Sequence, residues 1–287
     1  MDQYTTPKAK SRADVYQQAY TAVLNNPYWY GDGPQLLDET FNAENTRKRA
    51  DILIDILRRA TKRRTEYELS QQYSSLADKF SDCRLDRCGS SGCLKCLPAF
   101  QQAKTVAHRR VISTIATMYP QSLQYFVTII PLELNYPCAT LHEFDANEFN
   151  LHLKDTLTQD GLIRPFLGSI DISLEPSRLD KYWAPHWHLP LPTNDPEWLR
   201  KRLKDLFPPI NKHDYPVDVR EAFDLDFLPY IHKVIKIKDL LRTGRNHLPE
   251  LLLTLDQINP LDLMVTHGLV LIAQDDGFNF EFADYSS

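Results

Sequence analysis

Four cysteines within fourteen residues constrain the fold of this chain more than any other feature. Cys83, Cys88, Cys93 and Cys96 follow the spacing C-x4-C-x4-C-x2-C. Loops of this length can bring four sulfur atoms to about 2.3 Å from one tetrahedral Zn²⁺ ion, and such a site has no open coordination position. We therefore predict a structural zinc site that fixes the local path of the chain. Two disulfide bonds are the alternative.

The apolar segments of the chain bear on its compartment. The first residues, MDQYTTPKAKSRAD, lack the apolar core of a signal peptide. No apolar run approaches the ~20 residues that cross a bilayer. We therefore expect a cytoplasmic protein with no membrane partner. Because the cytoplasm keeps thiols reduced, this expectation favours zinc over disulfides at the four cysteines.

The charge of the chain is unevenly distributed. The net charge of −5 is unfavourable for a protein that binds nucleic acid. Residues 46–112, however, carry fifteen Lys or Arg against seven Asp or Glu, whereas the chain after Arg245 has seven acidic residues and no Lys or Arg. This distribution predicts a phosphate-facing surface in the first half of the chain. On charge alone, solvated basic helix faces are an equally good interpretation.

The spacing of apolar residues changes from helical to strand-like near residue 120. Downstream, YFVTII and FLGSIDIS are rich in β-branched residues or alternate in polarity, and residues 186–191 form a further strand candidate. We predict an α+β fold, in which a small antiparallel sheet with flanking helices follows a helical zinc-knuckle region. The predicted regions are the zinc-knuckle region at 1–120, the sheet domain at 121–245 and an acidic C-terminal extension at 246–287.

Two histidines two residues apart are the first candidate for chemistry. His186 and His188 flank Trp187 in APHWHLPL. Side chains at positions i and i+2 of a strand point to the same face, so both imidazoles would project together while the indole packs behind them. The pair is a candidate metal site, and a structural or surface pair is the alternative. Pro190 and Pro192 predict that this strand is short or lies at an edge.

A carboxylate on the preceding predicted strand extends this candidate. In FLGSIDIS, Asp171 alternates with Ile170 and Ile172, so it points away from the side that these isoleucines occupy. One carboxylate and two imidazoles on adjacent strands would give a mixed oxygen and nitrogen site suited to Mg²⁺ or Mn²⁺. Glu175 is the reserve candidate for the third ligand. A solvated strand residue is the alternative interpretation of Asp171.

The segment LPYIHK opens a predicted helix that runs from Pro229 to Thr243. Proline is favoured in the first helical turn, and Gly244 just past the end is a common stop signal. Tyr230 then lies in the opening turn, where free backbone N–H groups favour phosphate, and Lys233 lies on the same face. A phenol with a pKa of about 10 is a weak nucleophile, so a nearby cation is useful. A packing role for Tyr230 is the alternative.

The order of these motifs resembles that of a known family. A strand with a carboxylate (168–173), a strand with two histidines (184–191) and a segment with Tyr-x-x-Lys (228–233) follow the four-cysteine knuckle. This arrangement resembles the single-tyrosine HUH endonucleases, in particular the rolling-circle replication initiators of small plasmids and related transposases. The resemblance covers roughly residues 83–240 and rests on motif order more than on sequence identity.

The resemblance implies a metal-dependent nickase and strand transferase. His186, His188 and Asp171 would hold one Mg²⁺ or Mn²⁺ ion at the scissile phosphate. Tyr230 would attack the phosphorus and leave a 5′-phosphotyrosine link beside a free 3′-hydroxyl. The substrate would be single-stranded or hairpin DNA at an origin or at the end of a mobile element. In this interpretation, residues 121–245 are the nuclease domain and residues 1–120 bind DNA.

Two further residues receive roles from the resemblance. Lys233 would stabilise charge on the phosphate or the phenolate. In one branch of the family, an acidic residue four before the tyrosine activates water for the closing cleavage, and Asp226 matches that position. Because Pro229 disfavours helical geometry at the residue before it, Asp226 is expected to precede the helix. No GxxxxGK[ST] motif is present, so a host helicase would have to unwind the DNA.

The same sequence motifs are compatible with two other functions. The first is a non-catalytic zinc-knuckle DNA-binding regulator, in which His186, His188 and Tyr230 only pack. The second is a metal hydrolase, in which the histidine pair activates water and no covalent intermediate forms. The three functions differ in what happens to single-stranded DNA: a covalent adduct, free cleaved ends, or an intact bound strand.

Overall fold

A computed structural model describes residues 11–26, 43–63, 66–83, 87–159, 164–176, 181–210, 215–222, 228–233, 241–242 and 244–283. Over these residues the fold is mixed α+β, with an antiparallel sheet and flanking helices, which confirms the predicted class. Among the described helices, none combines the length and hydropathy that crossing a membrane requires.

A central sheet carries the candidate site. The strands are β1 (Leu123–Ile129), β2 (Tyr136–Pro137), β3 (Phe166–Pro176), β4 (Lys181–Thr193), β5 (Val217–Glu221), β6 (Met264–His267), β7 (Leu269–Gln274) and β8 (Gly277–Phe282). The central sheet has the order β5-β1-β4-β3-β6, and β2 also pairs with β4. Each of these pairings is antiparallel. The strands β7 and β8 pair with each other in a separate sheet.

The helices flank this sheet on both faces. They are α1 (Arg12–Asn25), α2 (Ala43–Arg63), α3 (Tyr67–Asp82), α4 (Leu97–Met118), α5 (Ala146–Gln159), α6 (Pro196–Leu206), α7 (Leu228–Ile231) and α8 (Leu248–Gln257). Local signals place several of their ends. Ser11 and Asp14 form a capping box at the start of α1, and Asp195 caps α6 by accepting a hydrogen bond from Trp198 N. These two helices therefore begin directly after a residue whose side chain caps their first turn.

The alternation of residues along β1 and β4 separates a core face from a site face. Val127, Ile129 and Trp187 belong to the larger apolar core, where the indole of Trp187 stacks on Phe149 of α5 with ring centroids 4.0 Å apart. On the other face, α4 packs against α1 and the β7–β8 hairpin in a second apolar cluster. Residues from all three predicted regions of the chain contribute to the larger core.

The strand that carries the histidines is long and central, so the prediction of a short or edge strand is wrong. β4 pairs with β1 on one side and with β3 on the other. Its last pair with β3 joins His188 to Ser169, and Pro190 and Pro192 pair with β1 alone. Pro190 and Pro192 therefore lie in the part of β4 that pairs with one neighbouring strand only, β1. This position lets a central strand contain residues that lack an N–H group.

Gly168 of β3 allows this part of β4 to approach closely. An added Cβ at residue 168 would lie 2.6 Å from the His188 carbonyl oxygen and 2.4 Å from a methyl carbon of Leu189. The backbone contact cannot be relieved by a side-chain rotation. A side chain at this position would therefore push β4, and the histidine on it, away from β3.

The helix predicted from Pro229 to Thr243 starts close to the expected residue, but its first helical segment is short. α7 ends at Ile231, residue 232 lies in a turn and Lys233 is not helical. The Lys233 N–H donates to the Tyr230 carbonyl over three residues rather than four, which tightens the turn and ends the helix. Tyr230 and Lys233 are therefore not on one face of a continuous helix. Residues 234–240 and 243 lie outside the described part of the chain.

Candidate functional site

The four cysteine sulfurs converge in the connection between α3 and α4. All four thiols are free, and their sulfur atoms lie within 4.8 Å of one another. The Sγ atoms of Cys83 and Cys96 are 3.4 Å apart, and those of Cys88 and Cys96 are 3.8 Å apart. Four sulfurs at about 2.3 Å from one tetrahedral ion would be about 3.8 Å apart. The cluster could therefore hold a metal ion, and its geometry is not that of two disulfides.

Neighbouring residues hold the cysteine cluster in place. Gly89 has a φ angle of +69°, and an added Cβ would overlap the Tyr20 hydroxyl, so this position requires glycine. Burial, the largest cause, raises the pKa of Tyr20 to about 12. The Lys95 ammonium donates to the carbonyl oxygens of Phe80 and Ser81 at the end of α3. Lys95 thus satisfies carbonyl oxygens at the end of α3, beside the thiols.

A second cluster joins Asp171 of β3 to His186 and His188 of β4. In the sheet register, Asp171 is opposite His186 and Ser169 is opposite His188, so the three side chains share the site face. Asp171 Oδ2 is 3.6 Å from His186 Nε2 and 3.7 Å from His188 Nε2. All three residues are buried, with exposed fractions of 1%, 3% and 2%. A solvated Asp171 is thereby excluded.

Hydrogen bonds aim the three side chains at one another. The His186 Nδ1–H donates to the Ala184 carbonyl oxygen, so Nε2 is the ring nitrogen that carries the lone pair. His188 Nδ1 shares a 3.0 Å hydrogen bond with the Thr128 hydroxyl of β1. Asp171 Oδ1 accepts a 2.8 Å bond from the Ile172 N–H, so its Oδ2 faces the imidazoles.

The donor set fits one divalent cation. Among the described residues, the buried Nε2 atom of His188 has no hydrogen-bond partner, which is uncommon for a buried polar atom. Two atoms that each bind one ion at about 2.1 Å lie no more than about 4.2 Å apart. The distances from Asp171 Oδ2 to both imidazoles satisfy this limit. Asp171, His186 and His188 could therefore hold a metal ion.

Tyr230 lies beside this cluster. Its ring centroid is 5.4 Å from that of His188 and 6.0 Å from that of Phe126. Phe126 in turn stacks on His188 at 5.2 Å. The side chain of Tyr230 is 39% exposed, whereas the cluster beneath it is buried. The phenol therefore stands between the candidate metal ligands and solvent.

The other predicted residues occupy different positions. Glu175, the reserve ligand, is opposite Tyr182 near the far end of β4 and is not part of the cluster. Lys233 is half-buried just after α7. Asp226 lies outside the described residues. Tyr215, the next tyrosine before Tyr230 in the chain, is 81% exposed just before β5.

Two residues that contact His188, Thr128 and Phe126, were not predicted from the sequence. Both lie on β1, which was predicted only as a strand. The signal was present in YFVTII: Tyr125, Val127 and Ile129 enter the core, whereas Phe126 and Thr128 alternate onto the opposite face. A hydroxyl in an otherwise apolar strand marks the face that carries the polar site.

Comparison with known proteins adds no assignment to this geometry. No protein-family model matches the chain, and neither curated proteins nor solved structures gave a match.

Proposed function

We propose that the chain is a single-tyrosine HUH endonuclease, which cuts single-stranded DNA and remains joined to it through Tyr230. The observation that carries this proposal is the position of the Tyr230 ring, 5.4 Å from His188 of a buried cluster of two imidazoles and a carboxylate. The DNA would be a single strand or hairpin at an origin or element end. Initiation of rolling-circle replication or transposition is the process that such a reaction serves.

The competing phenols are less well placed. Tyr182 is on the same face of β4 as His186, but four residues along an extended strand separate them by about 13 Å. Tyr215 is 81% exposed at the start of β5. Tyr230 is partly open to solvent and also in ring contact with a candidate ligand. It is therefore our candidate nucleophile.

The buried cluster would supply electrophilic assistance. With Mg²⁺ or Mn²⁺ bound, the site would polarise a phosphate oxygen and orient the scissile bond. Asp171, His186 and His188 are fixed by hydrogen bonds to their own sheet, so these ligands need little reorganisation when the substrate binds. Their burial keeps the local dielectric constant low, which strengthens every charge interaction at the phosphate.

Tyr230 would carry the covalent step. Its Oη atom forms a bond to phosphorus as the bond from phosphorus to the 3′-oxygen breaks, and the phenol proton leaves to solvent. The products are a 5′-phosphotyrosine link and a free 3′-hydroxyl. Attack by a 3′-hydroxyl on this link restores a phosphodiester, so the same site can join strands. Lys233, which directly follows the turn after α7, is our candidate for stabilising the developing negative charge.

The surroundings of Tyr230 suit a single strand better than a duplex. Phe126 and Tyr230 present aromatic rings in an edge-to-face arrangement, and bases of any sequence stack on such rings. Arg220 of β5 is directly opposite Phe126 in the register and is exposed. Its side chain pairs with Asp218, 2.6 Å away, so a phosphate would compete for this guanidinium.

The burial of the cluster argues against a purely packing role for its residues. A carboxylate and two imidazoles taken out of water cost free energy unless they have a charged partner. A non-catalytic regulator has no need of this arrangement on the face of its sheet. A hydrolase that activates water at the cluster would need it, but it would not need a tyrosine there.

A trapping experiment separates the three functions. The protein is incubated with Mn²⁺ and a library of randomised single strands that carry a 3′ label, and is then denatured and separated by electrophoresis. We expect label on the protein for wild type, none for Tyr230→Phe, and normal labelling for the matched variant Tyr215→Phe. Sequencing the trapped strands would identify the recognised site.

Each competing function gives a different result. Shortened free strands without labelled protein would support the hydrolase, and intact strands bound to the folded protein would support the regulator. An adduct that persists in Tyr230→Phe would contradict the assignment of the nucleophile. Mass spectrometry of the trapped peptide would then identify the attached residue.

A further inference from the structure

Helix α4 contacts the segment that carries Tyr230 on both sides of that residue. The Gln101 side-chain amide donates a 2.7 Å hydrogen bond to the carbonyl oxygen of Pro229, immediately before Tyr230. His108 Nδ1 and His232 Nε2 share a 2.9 Å hydrogen bond two residues after it. The short segment from Pro229 to His232 is therefore held at two points by one long helix.

These contacts are buried. Gln101 is 3% exposed, and both His108 and His232 are 0% exposed. Burial lowers the pKa of His108 to about 3, and burial is also the main cause that lowers the pKa of His232. Both imidazoles are therefore neutral near neutral pH, so one ring donates and the other accepts. A buried hydrogen bond of this kind has one favourable geometry.

The apolar contacts between α4 and α7 cannot by themselves fix the rotation of the tyrosine. Ile112 packs against Leu228 and Ile231, but apolar packing is non-directional. With four residues, α7 is also too short to be stable on its own. The directional contacts are the two hydrogen bonds. They are made by Gln101 and His108, which lie on the same face of α4 as Ile112.

α4 itself begins at the cysteine cluster. Cys96 is the residue that precedes its first turn, and the Leu97 N–H donates to the Cys93 carbonyl oxygen. Helical rise places residues 101 and 108 about 8 Å and about 18 Å along the axis from Cys96. A rigid helix thus connects the candidate metal-binding thiols to both contacts around Tyr230.

We propose that Gln101 and His108 are positioning residues that hold the Tyr230 phenol against the cluster of Asp171, His186 and His188. The inference rests on the proposed function, because it assigns the nucleophile its alignment. Neither residue touches the substrate; each acts through the backbone or side chain of the segment around Tyr230. Displacement of a nucleophile by about 1 Å costs on the order of 10²-fold in rate, so a modest loosening is measurable.

The kinetic test compares variants on one face of α4. His108→Leu and Gln101→Met each remove a polar contact and keep a side chain of similar length. In each variant, we expect the rate of adduct formation at saturating DNA and Mn²⁺ to fall by about 10²-fold. The affinity for DNA and the affinity for Mn²⁺ should not change. His108→Asn should recover most of the rate, because its amide lies where Nδ1 lay. Thr105→Val is the matched control, since its buried hydroxyl donates within α4 to Gln101 O.

Hydrogen exchange tests the same inference without any DNA. The amides of residues 228–233 should exchange at least about tenfold faster in both variants than in wild type, whereas those of β4 should not change. If wild type forms no adduct, the proposed function fails and the exchange result still decides the positioning role. Unchanged exchange and unchanged rate in Gln101→Met and His108→Leu would overturn the inference. So would a loss of DNA affinity equal to the loss of rate.

Discussion

At the scale of single residues, each ligand of the buried cluster has one side-chain atom in a hydrogen bond that orients it. A second atom of the same side chain faces the other two ligands. The inner atoms are held by Ala184, Thr128 and the Ile172 N–H, and the outer atoms of the two imidazoles lie 3.6 Å and 3.7 Å from the Asp171 oxygen. Supporting hydrogen bonds of this kind raise metal affinity, because they fix the tautomer and the direction of each ligand.

The first prediction at this scale concerns Thr128. Thr128→Val keeps the shape of the side chain but removes the hydroxyl that bonds His188 Nδ1, so Mn²⁺ affinity should fall about 10- to 100-fold. His188→Ala should remove measurable binding. Glu175→Gln should have no effect, because Glu175 is outside the cluster. Titration of Mn²⁺ followed by electron paramagnetic resonance measures all three, and strong loss in Glu175→Gln would return that residue to the ligand set.

The buried imidazole of His108 predicts a pH dependence of stability. In the unfolded chain this residue binds a proton near pH 6.5, whereas in the folded chain it does so only near pH 3. Between these values the unfolded state holds more protons, so acidification lowers the free energy of unfolding. The contribution of His108 should be about 1.4 kcal/mol per pH unit below pH 6.5.

Urea unfolding across this pH range measures the effect. His108→Leu should lower the slope of unfolding free energy against pH by one proton, even if the variant is less stable throughout. His142→Leu, which replaces an exposed histidine, is the matched control. An identical slope in wild type and His108→Leu would show that His108 is not buried as a neutral ring.

At the scale of elements, α4 connects the two candidate metal sites. It begins at the cysteine cluster, packs against the hairpin of β7 and β8, and contacts α7. Its sequence contains polar residues at buried positions, and Gln101 and His108 are two of them. Such residues are the sequence signal for a helix that bonds another element rather than only packing on it.

Zinc removal tests the connection between the knuckle and α4. We expect purified protein to contain about one tightly bound Zn²⁺, and the double variant Cys93→Ser, Cys96→Ser to lose it. Because the free energy of metal binding in small knuckles is also folding free energy, this variant should unfold at a lower temperature. Cys138→Ser, which lies away from the cluster, should keep both metal and stability. Elemental analysis combined with thermal unfolding measures the result, and a stable zinc-free wild type would contradict it.

At the scale of the whole molecule, the acidic C-terminal segment is built into the fold. Glu250 accepts one hydrogen bond from the Leu141 N–H and another from the Trp183 indole, and Asp256 pairs with Lys79 at 2.7 Å. β6 adds a strand to the central sheet beside β3. These contacts account for two of the acidic residues, Glu250 and Asp256, that had no evident role in the sequence.

Removal of residues 246–287 should therefore unfold the remaining chain. The deletion takes away four buried leucines of α8 together with β6. Each buried leucine contributes about 2–5 kcal/mol, so the four together contribute about 8–20 kcal/mol, which is as large as the usual stability of a domain, about 5–15 kcal/mol. The charge variant Asp275→Asn, at an exposed position, should fold normally. Circular dichroism and solubility measure the outcome, and a folded truncated chain would show that the segment is a separate extension.

The sequence by itself determined the features that depend on neighbouring residues. The cysteine spacing predicted the thiol cluster, alternation placed Asp171 and both histidines on one face, and capping residues mark the starts of α1 and α6. These signals are readable because the interactions behind them span only a few positions. The predicted roles of Tyr230, Lys233 and Asp226 in DNA cleavage remain predictions.

Only the tertiary structure decided which distant residues meet. It made β4 a central strand, because β4 pairs with β1 on one side and with β3 on the other, and the pairing with β3 ends before Pro190. It also brought Tyr230 to His188 and His108 to His232, residues that no local pattern relates. Such contacts follow from how sheet and helices pack as a whole. Their free energy depends on burial and hydrogen-bond geometry, and neither is defined until the entire core has formed.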